Sequence, residues 1–224
     1  PIPAQVPGNV ELDLAQAGKL PENLLQGMNP RLAEAYETFG WWYKKEFSKP
    51  ETASGEKVVL RLEGVDCLAE YFLNGKQLGK SENAFMPHEF DLTDQLSEQN
   101  TLWIHIRSAL LEQLSFSYEQ YLLCGWHTGG GIALRKPAHS FGWDIFPRAV
   151  TAGLWKSVSL RVRDGYDFEE LGYLVRFEGD TPKLEFYFSV TAPLSRLAGD
   201  SLSVRISGKC GEDSSFEGCF PLRR

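Results

Sequence analysis

The chain reads as all-β, in two consecutive blocks, residues 1–164 and 165–224. Three observations predict this. Short runs alternate apolar and polar with period two, as in Val58, Leu60 and Leu62, or Leu184, Phe186, Phe188 and Val190; that spacing gives a strand one buried face. Asn74-Gly75 stands between two such runs, and the pair supplies the two positive-φ positions of a type I′ hairpin turn. After residue 164, four further strand-like runs fit into the remaining sixty residues, the density of a β-sandwich of immunoglobulin type.

The elements follow in order. Residues 9–27 form a short amphipathic segment through Val10, Leu12, Leu14, Ala17 and Leu20, broken at Gly18 and Pro21. Trp41 to Phe47 is a strand of bulky residues suited to the pleat. Val58 to Gly64 is a cleaner one. Leu68 to Leu78 is the hairpin. Phe85–Leu92 and Thr101–Arg107 are two more strands, joined by the polar turn Thr93 to Asn100. Residues 108–134 interrupt the pattern with a helix-compatible run (Leu110, Leu111, Leu114) and a stretch, Gly125 to Gly131, in which four of seven residues are Gly. A long irregular excursion inside a β domain is commonly functional. Strand character returns at Leu154–Val162, and Asp164-Gly165 punctuates the chain. The second block holds runs at Leu171–Phe177, Lys183–Thr191, Ser201–Ser207 and Ser215–Phe220. An immunoglobulin-type sandwich has about seven strands, so the block reads as truncated, with a small four-stranded appendage as the alternative.

Composition excludes several classes. Net charge is −7, with no Lys/Arg run, which argues against a nucleic-acid backbone as partner. No apolar stretch reaches the roughly 18 residues of a membrane span. The opening Pro-Ile-Pro-Ala-Gln is not expected to be a secretory leader, and it suits a mature N-terminus as well as any other start. The cysteines are Cys67, Cys124, Cys210 and Cys219; none forms a CxxC pair, so no metal site is expected, and nothing calls for a cofactor. Cys67 falls in an apolar strand and is expected in the core. Cys210 and Cys219 flank a loop-like octapeptide, and could close a hairpin as a disulfide or stand as free thiols.

The densest chemistry lies in residues 135–155. Trp143 and Trp155, Asp144, and the bases Arg135, Lys136 and Arg148 crowd together there. An aromatic plate beside charged hydrogen-bonding groups suits a sugar. Composition alone allows a plainer reading, a strand–turn–strand corner held by a buried ion pair.

The order of the residues resembles glycoside hydrolase family 2, in its β-mannosidase branch. The matching stretches are Val6 to Leu14, Trp41-Trp42-Tyr43 with Phe47, Gly64 to Gly75, Ser81 to Thr93, Asn100 to Leu102, Arg135-Lys136, Ser140 to Asp144, Pro147-Arg148 and Thr151 to Trp155. The resemblance implies a galactose-binding-like jelly-roll β-sandwich first, the start of an immunoglobulin-like sandwich second, and a TIM barrel elsewhere in a longer protein. Members of the branch are retaining exo-glycosidases whose nucleophile and acid/base are two Glu on that barrel, which needs about 250 residues of its own. The chain is therefore expected to hold no catalytic residue and to be inactive alone. Its partners would be a terminal β-linked sugar and the barrel of the same protein, in an exported setting: periplasmic, secreted or lysosomal.

By position, Asp144 would accept hydrogen bonds from hydroxyls of the terminal sugar and Trp143 would wall the pocket. Arg135, Lys136 and Arg148 would bind substrate, orient Asp144 or hold the loop, with structural ion pairs as their plainer role. His127, Trp126 and Gly129–Gly131 would form a rim; His88 and His139 are expected to be ordinary hydrogen-bonded residues. The branch usually reads Trp-Asp-Trp-Gly-Pro-Arg, whereas this chain has Trp143-Asp144-Ile145-Phe146-Pro147-Arg148. Losing the Gly is expected to alter the loop backbone. Two other readings compete, a free-standing carbohydrate-binding module and a purely structural domain.

Overall fold

A computed structural model describes residues 1–117, 133–191, 203–210 and 214–221. The chain divides into two compact units, Pro1–Val162 and Arg163–Arg224. Among the described residues, strands dominate and the helices are short. The Gly125–Gly131 stretch, with Trp126 and His127, lies outside the described residues.

In the first unit, β1 (Trp41–Ser48), β6 (Gln99–Ile106), β3 (Ala69–Leu73) and β4 (Lys76–Ser81) form an antiparallel sheet in the order β1-β6-β3-β4. A second sheet runs β5 (His88–Asp91), β2 (Lys57–Leu62) and β7 (Val158–Arg163) in the order β5-β2-β7. Both sheets contribute to one core. Leu60 and Leu62 of β2, Tyr71 and Leu73 of β3, and Leu102, Ile104 and Ile106 of β6 are all buried in it. Two sheets that share an apolar interior make a β-sandwich. Asn74 and Gly75 turn the β3–β4 hairpin at φ of 51° and 82°, the sign that a type I′ turn demands.

Three expectations shift. The Phe85–Leu92 strand shortens to His88–Asp91, since Pro87 lacks an N–H for the ladder and the Phe85 N–H is taken by the Asn83 side chain at 2.9 Å. Leu154 and Trp155 precede β7 rather than open it. The 93–100 turn gives up Gln99 and Asn100 to β6.

Helix α1 (Val10–Gln16) is capped by Asn9, whose side chain accepts the Leu12 N–H at 3.0 Å. Val10 and Leu14 pack with Leu20 and Ala33. The helix is anchored to the far end of the same unit: Gly8 N–H donates to the Leu154 carbonyl at 2.9 Å and Val10 N–H to the Ala152 carbonyl at 2.8 Å. Gly153 makes this approach possible, because a Cβ there would lie 2.6 Å from Asn9 Cα. A four-residue α2 (Pro30–Ala33), continued by a 3₁₀ turn over Glu34–Tyr36, has no counterpart in the sequence reading. The helix-compatible run after residue 108 forms α3 (Ala109–Ser115), capped by Ser108.

The second unit has two antiparallel hairpins, β8 (Asp167–Glu178) with β9 (Thr181–Thr191), and β10 (Ser203–Cys210) with β11 (Ser214–Pro221). Leu184, Phe186, Ile206, Phe216 and Phe220 line a space of about 380 Å³ within it. The Cys210–Cys219 hairpin forms, but no disulfide joins the two. Cys219 is a free thiol opposite Arg205, while Cys210 pairs with Ser214. Cys67 is 2% exposed in the first unit, inside the core.

Candidate functional site

The Trp143–Asp144 segment is a closed turn. Trp143 N–H donates to the Phe146 carbonyl and Phe146 N–H returns a bond to the Trp143 carbonyl, both at 3.2 Å. Asp144 and Ile145 therefore sit at the tip of a two-residue loop, both exposed. Among the described residues, Asn74 is the one non-glycine at positive φ. Phe146 thus occupies the place of the usual Gly without entering the left-handed region, and the turn closes with ordinary backbone angles. The loss of an aromatic at Ile145 leaves an aliphatic side chain 81% exposed. His139 packs its ring against Phe146 at 5.6 Å.

The turn is mounted on a short 3₁₀ segment, Ala138–Phe141, which ends at Gly142 with φ of 109°. Ala149 N–H donates back to the Ser140 carbonyl at 2.9 Å and so closes the base of the loop. Beside it lies a cleft of about 440 Å³. Trp143, Phe146 and Arg148 form one wall, and Met28, Arg31 and Glu34 form the other.

One ion pair braces the turn, and a second ties Lys136 to Thr151 on the far side of it in the chain. Arg148 grips both oxygens of Glu37, whose side chain is buried, through Nε at 3.0 Å and Nη2 at 2.5 Å, and also donates to the Phe141 carbonyl at 3.3 Å. Lys136 is in the interior, 3% exposed. Its ammonium binds Asp66 Oδ2 and the Thr151 carbonyl, the latter at 2.6 Å. Thr151 Oγ1 completes the triangle by donating to Asp66 Oδ2 at 2.8 Å.

The five residues singled out from sequence thus fall into separate places. Trp143 and Asp144 share the exposed turn. Arg148 reaches the cleft but spends its guanidinium on Glu37. Lys136 faces the domain interior, and the charge it meets is Asp66. Arg135 is exposed, and its backbone carbonyl accepts the Ala84 N–H at 2.8 Å.

Sequence reasoning missed Glu37, Asp66 and Glu11 as parts of this framework. Glu11 is 8% exposed on α1, and one of its carboxylate oxygens has no hydrogen-bond partner. Burial pushes its carboxyl up to about 7, and the Asp66 charge adds to that, against the pull of Lys136 and backbone N–H groups. Glu11 and Asp66 both lie in stretches that carry the family resemblance, so the signal was present, but only as pattern. Glu37 lies in none of them. His88 makes an ordinary contact from its Nε2 to the Asn83 carbonyl at 3.0 Å. Among the described residues, no group of three or more His, Cys, Asp or Glu could hold a metal ion, and no helix is long and apolar enough to cross a membrane.

The architecture is that of a galactose-binding-like β-sandwich, carrying an aromatic–acidic turn braced by the Arg148–Glu37 pair. The chain belongs to glycosyl hydrolase family 2: residues 1–156 match the family described as glycosyl hydrolase 2 galactose-binding domain-like. It is 33% identical to beta-mannosidase B of Thermothelomyces thermophilus over 164 residues, covering 71% of this chain and 19% of that protein. To the beta-mannosidase of Mus musculus it is 32% identical over 185 residues, 77% of this chain and 20% of that one. The crystal structure of the beta-D-mannosidase from Dictyoglomus thermophilum superposes with a TM-score of 0.78 at 28% identity, covering 98% of this chain and 27% of that one. The chain spans about a fifth of the length of the curated relatives it matches.

Proposed function

We propose that this chain is the non-catalytic, sugar-contacting part of a retaining exo-β-glycosidase of β-mannosidase type, and that its Trp143–Asp144 turn forms one side of the terminal-sugar subsite. The observation that carries the reading is the turn itself. An exposed Asp144 stands at the tip of a closed loop, next to a half-exposed indole that lines a cleft of about 440 Å³. An ionised Asp accepts from two vicinal hydroxyls at once, and the adjoining indole strengthens both bonds by excluding water. Contacts of this kind to non-reacting hydroxyls position a ring for attack. Arg148 braces the turn through Glu37, and Lys136 holds the segment around Thr151 through Asp66.

In this reading the catalytic carboxylates belong to a barrel in the longer protein, which is exported to where free glycans are digested. The second unit supplies the opening strands of an immunoglobulin-like sandwich. Its exposed apolar side chains, Leu171, Tyr173 and Phe177 among them, support that assignment, because further strands would cover them. The test is hydrolysis of an aryl β-mannoside by the longer protein. Asp144→Ala is expected to lower kcat/KM by about a hundredfold or more. Full activity in that variant would remove the turn from the subsite.

A further inference from the structure

The geometry points to a second carbohydrate-binding surface, on the outer face of the β1-β6-β3-β4 sheet and centred on Trp42. Two rows of side chains cross that face. Pairing places Trp42 opposite His105, His105 opposite Glu70, and Glu70 opposite Lys80; in the next row Lys44 is opposite Trp103 and Trp103 opposite Phe72. Trp42 springs from the edge strand, yet its ring centroid lies 5.8 Å from that of Phe72, two strands away. The indole therefore lies across β6. One of its faces rests on the His105 imidazole, parallel within 11° at 4.3 Å, and Trp103 meets it edge-on at 6.1 Å.

The support beneath the indole is itself fixed. Glu70 holds His105 Nδ1 at 3.4 Å, and Lys80 holds the other Glu70 oxygen at 3.2 Å. Trp42 remains 56% exposed. It is a flat aromatic plate with one side backed and the other open, ordered before any ligand arrives, and preorganisation of that kind lowers the cost of binding.

The occupant that fits is a neutral pyranose unit of an oligosaccharide. Its C–H face stacks on an indole, and its hydroxyls reach the flanking polar groups. An apolar protein surface fits poorly, because charges are interleaved with the aromatics and a partner would have to desolvate them. Those charges neutralise one another, Lys80 with Glu70 and Lys44 with Glu46 at 2.6 Å. The face therefore matches an uncharged polyhydroxyl better than an ionic ligand. None of these residues lines the cleft at the Trp143–Asp144 turn, so this surface stands independently of the reading given to that turn.

The experiment titrates the 224-residue chain with β-1,4-linked mannohexaose and with cellohexaose, followed by calorimetry and by the indole N–H signals in NMR. Binding of at least one sugar is expected, with the Trp42 indole signal shifted. Affinity is expected to fall about tenfold in Trp42→Ala and by less in Trp42→Phe, while Tyr173→Ala, in the second unit, leaves it unchanged. Thermal unfolding of each variant confirms that the exposed substitution leaves the fold intact. The proposal is overturned if neither sugar binds at millimolar concentration, or if binding survives Trp42→Ala with its affinity unchanged. It is equally overturned if sedimentation shows this face pairing two copies of the chain, a dimer that Trp42→Ala dissolves.

Discussion

Arg148 binds both carboxylate oxygens of Glu37 across 111 residues of chain. The pair ties the two walls of the cleft, because Glu37 follows the α2–3₁₀ segment that bears Arg31 and Glu34, and Arg148 follows the Trp143–Phe146 turn. Bidentate Arg–carboxylate geometry fixes orientation as well as distance. Glu37→Ala should leave a partly buried guanidinium without its partner and lower stability by about 1–3 kcal/mol. Urea unfolding of the chain measures it. A variant as stable as the parent would mean that the pair holds nothing in place.

Lys136 and Asp66 form the deeper pair. Lys136→Met removes the positive charge and strands Asp66, whose Oδ1 already lacks a partner; the expected loss is about 3–5 kcal/mol. The double variant Lys136→Met/Asp66→Asn removes both charges and should recover part of it. Denaturant midpoints of the parent, Lys136→Met, Asp66→Asn and the double variant complete the cycle, and additive losses would show that the residues act separately.

The stability of the first unit should depend on pH through Glu11. Its folded carboxyl is raised from the ordinary 4.5 to about 7, so between those values the native state holds a proton that the unfolded chain has released. Stability is therefore greatest below about pH 4.5 for this group, declines as pH rises through about 7, and levels off above. Lys136, Asp66 and Tyr43 are the groups that share its electrostatic surroundings. The full swing is on the order of 3 kcal/mol. Glu11→Gln should flatten this part of the profile, as measured by thermal unfolding between pH 4 and 8. An unchanged slope in the variant would assign the dependence to other groups.

Asp144→Ala is expected to leave the unfolding midpoint of the chain within about 0.5 kcal/mol of the parent, since the side chain is exposed at a turn tip. Coupled with a large loss of activity in the longer protein, that result separates a ligand contact from a structural one. A strong destabilisation would instead favour a structural role for the turn.

What was legible in the sequence was what short-range chemistry dictates. Asn74-Gly75 forced its turn, the alternation of Val58, Leu60 and Leu62 chose a face, and the apolar spacing of Val10 and Leu14 gave α1. The exposed Trp143–Asp144 turn was legible through resemblance. The framework under it was not. Glu11 stands in a Val-Glu-Leu-Asp-Leu run that reads as a helix with a solvated acidic side, and groups that act on its carboxyl, Lys136 and Ala152, lie over a hundred residues away. The Glu37–Arg148 and Asp66–Lys136 pairs are likewise long-range, and no local period announces them. Pro87, by contrast, was a local cue to a shorter β5.

The bonds from Gly8 and Val10 to Leu154 and Ala152 have a consequence for synthesis. The first helix finds its seat only on a segment translated almost at the end of the unit, and β7 is needed to finish the second sheet. A nascent chain still short of residue 155 would hold the strands of one sheet with no clasp to shut it. Folding of this unit on the ribosome is thus delayed until nearly all of it has emerged, as expected of a topology rich in distant contacts.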